Sequence, residues 1–127
     1  MADILYDLFK SVIDQDDCPV VICNLFNEIV YMNPSAIEHY SDDIPGDYKG
    51  RLITDCHPRS ANEHIDAVVK WFMSSMENNV VHTSFNKAQN KDVYMVALRD
   101  DDGKLIGYYE KHAYRNRETA KLYDFGK

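Results

Sequence analysis

Residues 18–36 read CPVVICNLFNEIVYMNPSA, and the fold turns on how this stretch is read. Pro19 cannot continue a helix, and it opens Val20 to Asn24, a run that is apolar almost throughout and reads as a strand. A short turn at Asn27-Glu28 leads to Ile29-Val30-Tyr31-Met32, so the two runs predict a hairpin. Asn33-Pro34-Ser35 then offers a cap with proline at the first helical position, starting a short helix through Tyr40.

Upstream, DILYDLFKSVID at 3–14 sets Ile4, Leu5, Leu8, Phe9, Val12 and Ile13 on one wide helical stripe, with polar residues opposite. Asp16-Asp17-Cys18-Pro19 ends it. Downstream, Ser41 to Gly50 is acidic and turn-rich around Pro45-Gly46 and reads as a surface loop, and Arg51 to Cys56 as a short helical turn. Ser60 to Met76 predicts the longest helix, because Ile65, Val68, Val69, Phe72, Met73 and Met76 share one face. Ser60 is placed to cap it, with Glu63 in the capping-box position. Three strands complete the pattern: Val80 to Asn86, Val93 to Arg99 after the turn KAQNK, and Leu105 to His112 after Asp100-Asp101-Asp102-Gly103. The tail from Asn116 to Tyr123 is amphipathic and predicts a helix.

This segregated order predicts an α+β fold, a five-stranded antiparallel sheet with helices covering one face. Three parts follow: an N-terminal amphipathic helix at 1–16, the main domain at 17–114 and a helical tail at 115–127. A chain of 127 residues can bury one core but not two. The formal net charge of −7 argues against a nucleic-acid surface, and no apolar run is long enough to span a bilayer. MADILYDLFK carries acids where a signal peptide would carry Lys or Arg, so a cytosolic location is expected. Cys18, Cys23 and Cys56 form no CxxC pair, and free thiols are expected.

Three phrases in this order resemble a PAS domain: the hairpin and Asn-Pro start at 18–36, GRLITDCHPRS at 50–60, and VALRDDDGKLIGYYE at 96–110. The resemblance spans about residues 18–112. The Cys56-His57-Pro58 step is similar to a PAS module of bacterial proteins of uncharacterised function that also carry a hemerythrin-like region, which has no counterpart here. The family's usual Asp-Ile-Thr exit is missing too, and KHAYRNR stands at 111–117 instead. The resemblance therefore implies a stand-alone sensory or interaction module that signals by non-covalent association with a small molecule or protein partner. PAS domains commonly dimerise through an N-terminal helix and the outer sheet face, so Leu5, Leu8, Phe9 and Val12 are the expected homodimer contacts. The alternative is that this helix folds back on its own sheet.

The candidate chemistry is narrow. Adjacent side chains on a helix point about 100° apart, so Cys56 and His57 cannot easily hold one ion. Cys18, Cys23, His39 and His112 show no spacing that would complete a zinc site. No metal site is predicted; Cys56, His57 and Ser60 mark the start of the long helix, and Cys56 keeps a claim as a redox-sensitive thiol. A cysteinyl flavin adduct is disfavoured, since Cys56 falls too late after Gly50 and the Arg-Phe-Leu-Gln that should follow is absent. Haem is the alternative cofactor: haem-binding members of the wider family often take an axial His from the long helix, where His64 stands. Otherwise an unidentified ligand would sit between helix and sheet. His64, Val68, Trp71, Phe72, Tyr31, Tyr94, Val96, Leu98 and Tyr108 are the lining candidates, beside Val21 and Cys23, with Arg99 or tyrosine hydroxyls supplying polarity. A simply filled core is the competing expectation. No Ser/His/Asp order, phosphate loop or HExxH appears, so no enzyme is predicted and no catalytic residue is named.

Overall fold

A computed structural model describes residues 2–42, 47–56, 59–124 and 126, apart from the side chains of Ala2, Cys56, Arg59 and Ser60. The loop centre at Pro45-Gly46, the His57-Pro58 step and the roles expected of the Cys56 and Ser60 side chains lie outside the described residues. Along the described chain run α1 (Ala2–Asp14), β1 (Val20–Asn24), β2 (Ile29–Met32), α2 (Pro34–His39), a 3-10 turn (Ile53–Cys56), α3 (Arg59–Ser74), β3 (Val80–Asn86), β4 (Lys91–Arg99) and β5 (Leu105–Tyr114).

The sheet is antiparallel, with order β2-β1-β5-β4-β3. The hairpin β1-β2 and the meander β3-β4-β5 are each built from sequence neighbours, and the last strand closes the sheet by docking beside the first. Glu110 therefore lies opposite both Val21 and Met95, and Tyr108 opposite both Cys23 and Ala97. A Cβ at Gly107 would stand 2.5 Å from the Cys23 carbonyl oxygen, so this close strand approach requires glycine. One face of the sheet buries Val21, Cys23, Met95 and Tyr108 against Ala36 of α2 and Ile65 and Phe72 of α3.

Two polar side chains set the positions of the helices. Asn33 is fully buried; its Oδ1 accepts from the backbone N–H groups of Val20 and Ala36, and its Nδ2 donates to the carbonyls of Ile13 and Cys18. The Asn-Pro start thus caps α2 and also holds the end of α1. Arg99, expected to add polarity to a ligand pocket, instead lies beneath the carboxyl end of α3. Its guanidinium donates to the carbonyls of Phe72, Ser75, Asn78 and Gly103 and to Asn79 Oδ1. Carbonyls at a helix end lack intrahelical partners, and this one cation satisfies several.

Two expectations change, and one of two alternatives for α1 is not seen. Met73 and Met76 are exposed: in the last turn of α3 Phe72 alone turns into the core, and the helix ends at Ser74, before Met76. The tail is not helical over the described residues 115–124. Arg115 is bound there by Asp92 through two 2.7 Å hydrogen bonds, its N–H donates to the Asn90 carbonyl, and Asn90 also bonds Asn116, so the chain leaves β5 extended. Finally, α1 does not fold its apolar stripe onto the sheet. Leu5, Leu8, Phe9 and Val12 are all more than half exposed; of the stripe, Val12 and Ile13 line a cavity on the sheet's outer surface, and Asp14 accepts a hydrogen bond from Tyr31 there.

Candidate functional site

Strand alternation brings Lys91, Val93 and Met95 of β4, and Glu110 and His112 of β5, to the inner face. Opposite them stand His39 and Tyr40 at the end of α2, and Ala61, His64 and Ile65 in the opening turns of α3. Between these surfaces, and closed on one side by Thr83 and Ser84 of β3, lies a cavity of about 290 Å³.

Its floor is polar. The Tyr40 hydroxyl donates to Glu110 Oε1 at 3.0 Å, and His112 Nε2 lies 3.3 Å from both that oxygen and the Tyr40 oxygen. Both neighbours present lone pairs to Nε2, so this nitrogen carries the hydrogen; the assignment follows from the network. The His112 ring is packed edge-on against His39, with centroids 5.2 Å apart. Its Nδ1 is buried with no hydrogen-bond partner among the described residues. Lys91 is 4% exposed; burial pushes its ammonium below the usual lysine range, and the Glu110 charge pulls it back up. Buried charged and polar groups are retained at a cost in stability unless paired or bonded, so this cluster marks the cavity as more than leftover space.

The structure sorts the residues expected to line a pocket. His64 does line the cavity, and is itself exposed at its edge. Phe72 and Tyr108 are core residues, and the Tyr108 hydroxyl donates to Asn27 Oδ1 at 2.7 Å; Val21 and Cys23 are buried beside them, and Val68 packs on the same cluster. Trp71 is 41% exposed and meets Phe72 at the helix surface. Tyr31, Tyr94, Val96 and Leu98 belong to the opposite face of the sheet. Tyr31 donates to Asp14 of α1, Tyr94 lies against the His82 ring, Val96 stands opposite Tyr109, and Leu98 lines a second cavity with Val12, Ile22 and Tyr109. The correction is one residue of register: β4 is apolar on both faces, and a shift of one inverts the assignment of every side chain.

Lys91, Glu110, Tyr40, His39 and His112 were missed as site residues. One signal existed: Glu110 and His112 are two apart in a strand and must share a face, beside inward Tyr108. Metal chemistry finds no ready geometry in the cavity. Among the described residues, the one group offering three ligand atoms within 4.8 Å of one another is Asp16, Asp17 and Cys18, in the turn after α1. There Asp16 Oδ1 already accepts from the Cys18 N–H, and Cys18 Sγ contacts Asp17. Burial, followed by its hydrogen bond with Asp17, raises the Cys18 thiol above its ordinary range.

No helix among the described residues is long and apolar enough to cross a membrane. No family model and no curated protein sequence matches the chain. Solved structures do. A PAS domain from Colwellia psychrerythraea superposes with a TM-score of 0.64 at 13% identity, covering 87% of this chain and 96% of that one. The PAS domain of BvgS from Bordetella pertussis gives 0.63 at 12% identity, covering 90% and 88%. The Aer2 receptor from Vibrio cholerae, a dual PAS-heme oxygen sensor, gives 0.53 at 19% identity, covering 78% and 95%. Similarity at these identities concerns architecture, and it establishes the fold of this chain as the α+β fold of PAS domains.

Proposed function

We propose that the chain is a sensory and interaction module of the PAS type, acting in the cytosol without catalysis, in which a small molecule bound in the inner cavity alters how α1 and the outer sheet face pair with a second copy or another protein. The observation that carries this reading is the double role of β5. Glu110 and His112 on its inner face belong to the cavity, while Tyr109 and Lys111 between and beside them line the outer cavity against Val12 and Ile13 of α1. A ligand that shifts β5 thereby reaches the seat of α1 through one strand. Native mass spectrometry of the protein purified from its own host tests the reading. A bound small molecule, displaced when Ala61→Trp fills the cavity, supports it; a mass equal to the bare chain, unaffected by host extract, counts against it.

A second reading has one observation in its favour. His64 lines the cavity, and a fold neighbour is described as a PAS-heme oxygen sensor. In that case His64 supplies the axial ligand and the module senses gas or redox state. Adding hemin decides it: a Soret band lost in His64→Ala establishes haem, and a protein that stays colourless removes it.

A further inference from the structure

Among the described residues, Lys91 is the one lysine that lines the inner cavity, and it is nearly enclosed there, with 4% of its surface exposed. Its Nζ makes no hydrogen bond and no ion pair among those residues. Ile65, Val93 and Met95 give the cavity an apolar wall. A buried cation without hydrogen bonds is costly, and an amine in this position sheds its proton more readily than one in water. Burial pushes the Lys91 ammonium below the usual lysine range, while Glu110 and Cys18 act the other way. A desolvated, unprotonated amine is a nucleophile toward carbonyl carbon. The exposed lysines at 87, 104 and 121 have no such surroundings.

Resting on the assignment of this cavity as the ligand site, we propose that Lys91 is a covalent attachment point, where a small aldehyde condenses reversibly with Nζ and lays its carbon chain on Ile65, Val93 and Met95. The ammonium and the aldehyde give a protonated imine and one water: a carbon–nitrogen double bond forms, the carbonyl carbon–oxygen bond breaks, and the oxygen leaves with two of the three ammonium hydrogens. The positive charge stays on nitrogen. That outcome suits the cavity, whose one described ammonium faces one described carboxylate, Glu110. Acylation would make Lys91 a neutral amide and strip Glu110 of its countercharge in a buried site. Carbon dioxide would turn the amine into a carbamate and set a second anion beside Glu110. An imine alone keeps the charges matched while its carbon chain covers the apolar wall.

The test treats the full chain at neutral pH with propanal and sodium cyanoborohydride, which fixes each imine as a propyl mark, and locates the marks by peptide mass spectrometry. Lys91 is expected to be marked at least about tenfold faster than Lys87, Lys104 and Lys121. Ala61→Trp, which fills the cavity, should slow marking of Lys91 and leave the exposed lysines unchanged. Without the reductant, propanal should raise the thermal midpoint of the parent, and Lys91→Arg, which keeps the charge but forms no imine, should abolish that rise. The rate ratio in the parent needs no variant, so it decides the matter even where a substitution fails to fold. Marking of Lys91 no faster than that of the exposed lysines overturns the inference, and so does an unchanged Lys91 rate in folded Ala61→Trp. Should native mass spectrometry find a host ligand that cyanoborohydride does not fix to Lys91, the covalent attachment falls while the cavity survives as a ligand site.

Discussion

Asn33 is completely enclosed, and both ends of its amide are used: Oδ1 accepts from two backbone N–H groups at 2.9 Å, and Nδ2 donates to two carbonyls at 3.0 Å. Asn33→Ala would orphan those groups at the junction of α1, β1 and α2. It should cost about 3 kcal/mol of unfolding free energy, read from urea denaturation. A loss below about 0.5 kcal/mol would mean that water replaces the amide. The capping half of this role was legible in Asn33-Pro34; the bonds to Ile13 and Cys18 were not, because a side chain's distant partners leave no mark on its neighbours. Tyr108 makes the second residue-scale case. Burial, first of all, raises its phenol well above the ordinary value of 10.0. The unfolded chain therefore loses this proton before the folded one does. Stability that is fully present below about pH 10 must fall as pH rises beyond it. Tyr108→Phe should be less stable at neutral pH by about 1 kcal/mol through the lost bond to Asn27, and its stability should fall less steeply in alkali. Parallel curves for parent and variant in urea melts at increasing pH would refute the assignment.

Among the elements, α3 shows how a helix end is made secure by a residue far along the chain. Its amphipathic spacing predicted the helix, and Ile65 and Phe72 are buried as that spacing requires. Its termination depends on Arg99, whose Nη2 alone meets the carbonyls of Phe72, Ser75 and Asn78 within 3.0 Å. Arg99→Met keeps the aliphatic stem but frees those carbonyls. About 2–4 kcal/mol of stability should be lost, with hydrogen exchange quickening first in the last turn of α3. Uniform quickening across the domain would show that Arg99 supports the sheet rather than the helix. On β4 the same strand pattern that located the element misassigned its faces. Tyr94, Val96 and Leu98 looked inward by hydrophobicity, yet Val93 and Met95 reach the cavity. A strand that is apolar on both faces shows no polar alternation to orient it.

At the scale of the whole molecule, α1 leaves an apolar stripe open to solvent, with Leu8 at 56% and Phe9 at 61% exposure. This is the surface that the proposed pairing of α1 with a second copy or another protein would bury. Leu8→Asp places a charge at its centre and should move the mass measured by light scattering from dimer toward monomer. A parent protein that is already monomeric at high micromolar concentration removes self-association from the proposed function. The parent's dimer, if disrupted by Leu8→Asp, should retain the fold, because Leu8 takes no part in the buried core.

The sequence by itself determined the strand bounds of the opening hairpin, the Asn-Pro start of α2, the length and register of α3 to within a turn, and through their order the α+β architecture. Each depends on steric and hydrogen-bonding preferences among residues a few positions apart. Tertiary structure alone decided which face of β4 turns inward, why the tail stays extended, and where chemistry is concentrated. Tyr40 and Glu110 meet across 70 residues of chain, and Tyr40 and His112 across 72. Such a meeting is created by the docking of β5 beside β1. Distance along the chain erases the local pattern that would announce it, so the Tyr40–Glu110–His112 cluster becomes visible only when the sheet has closed.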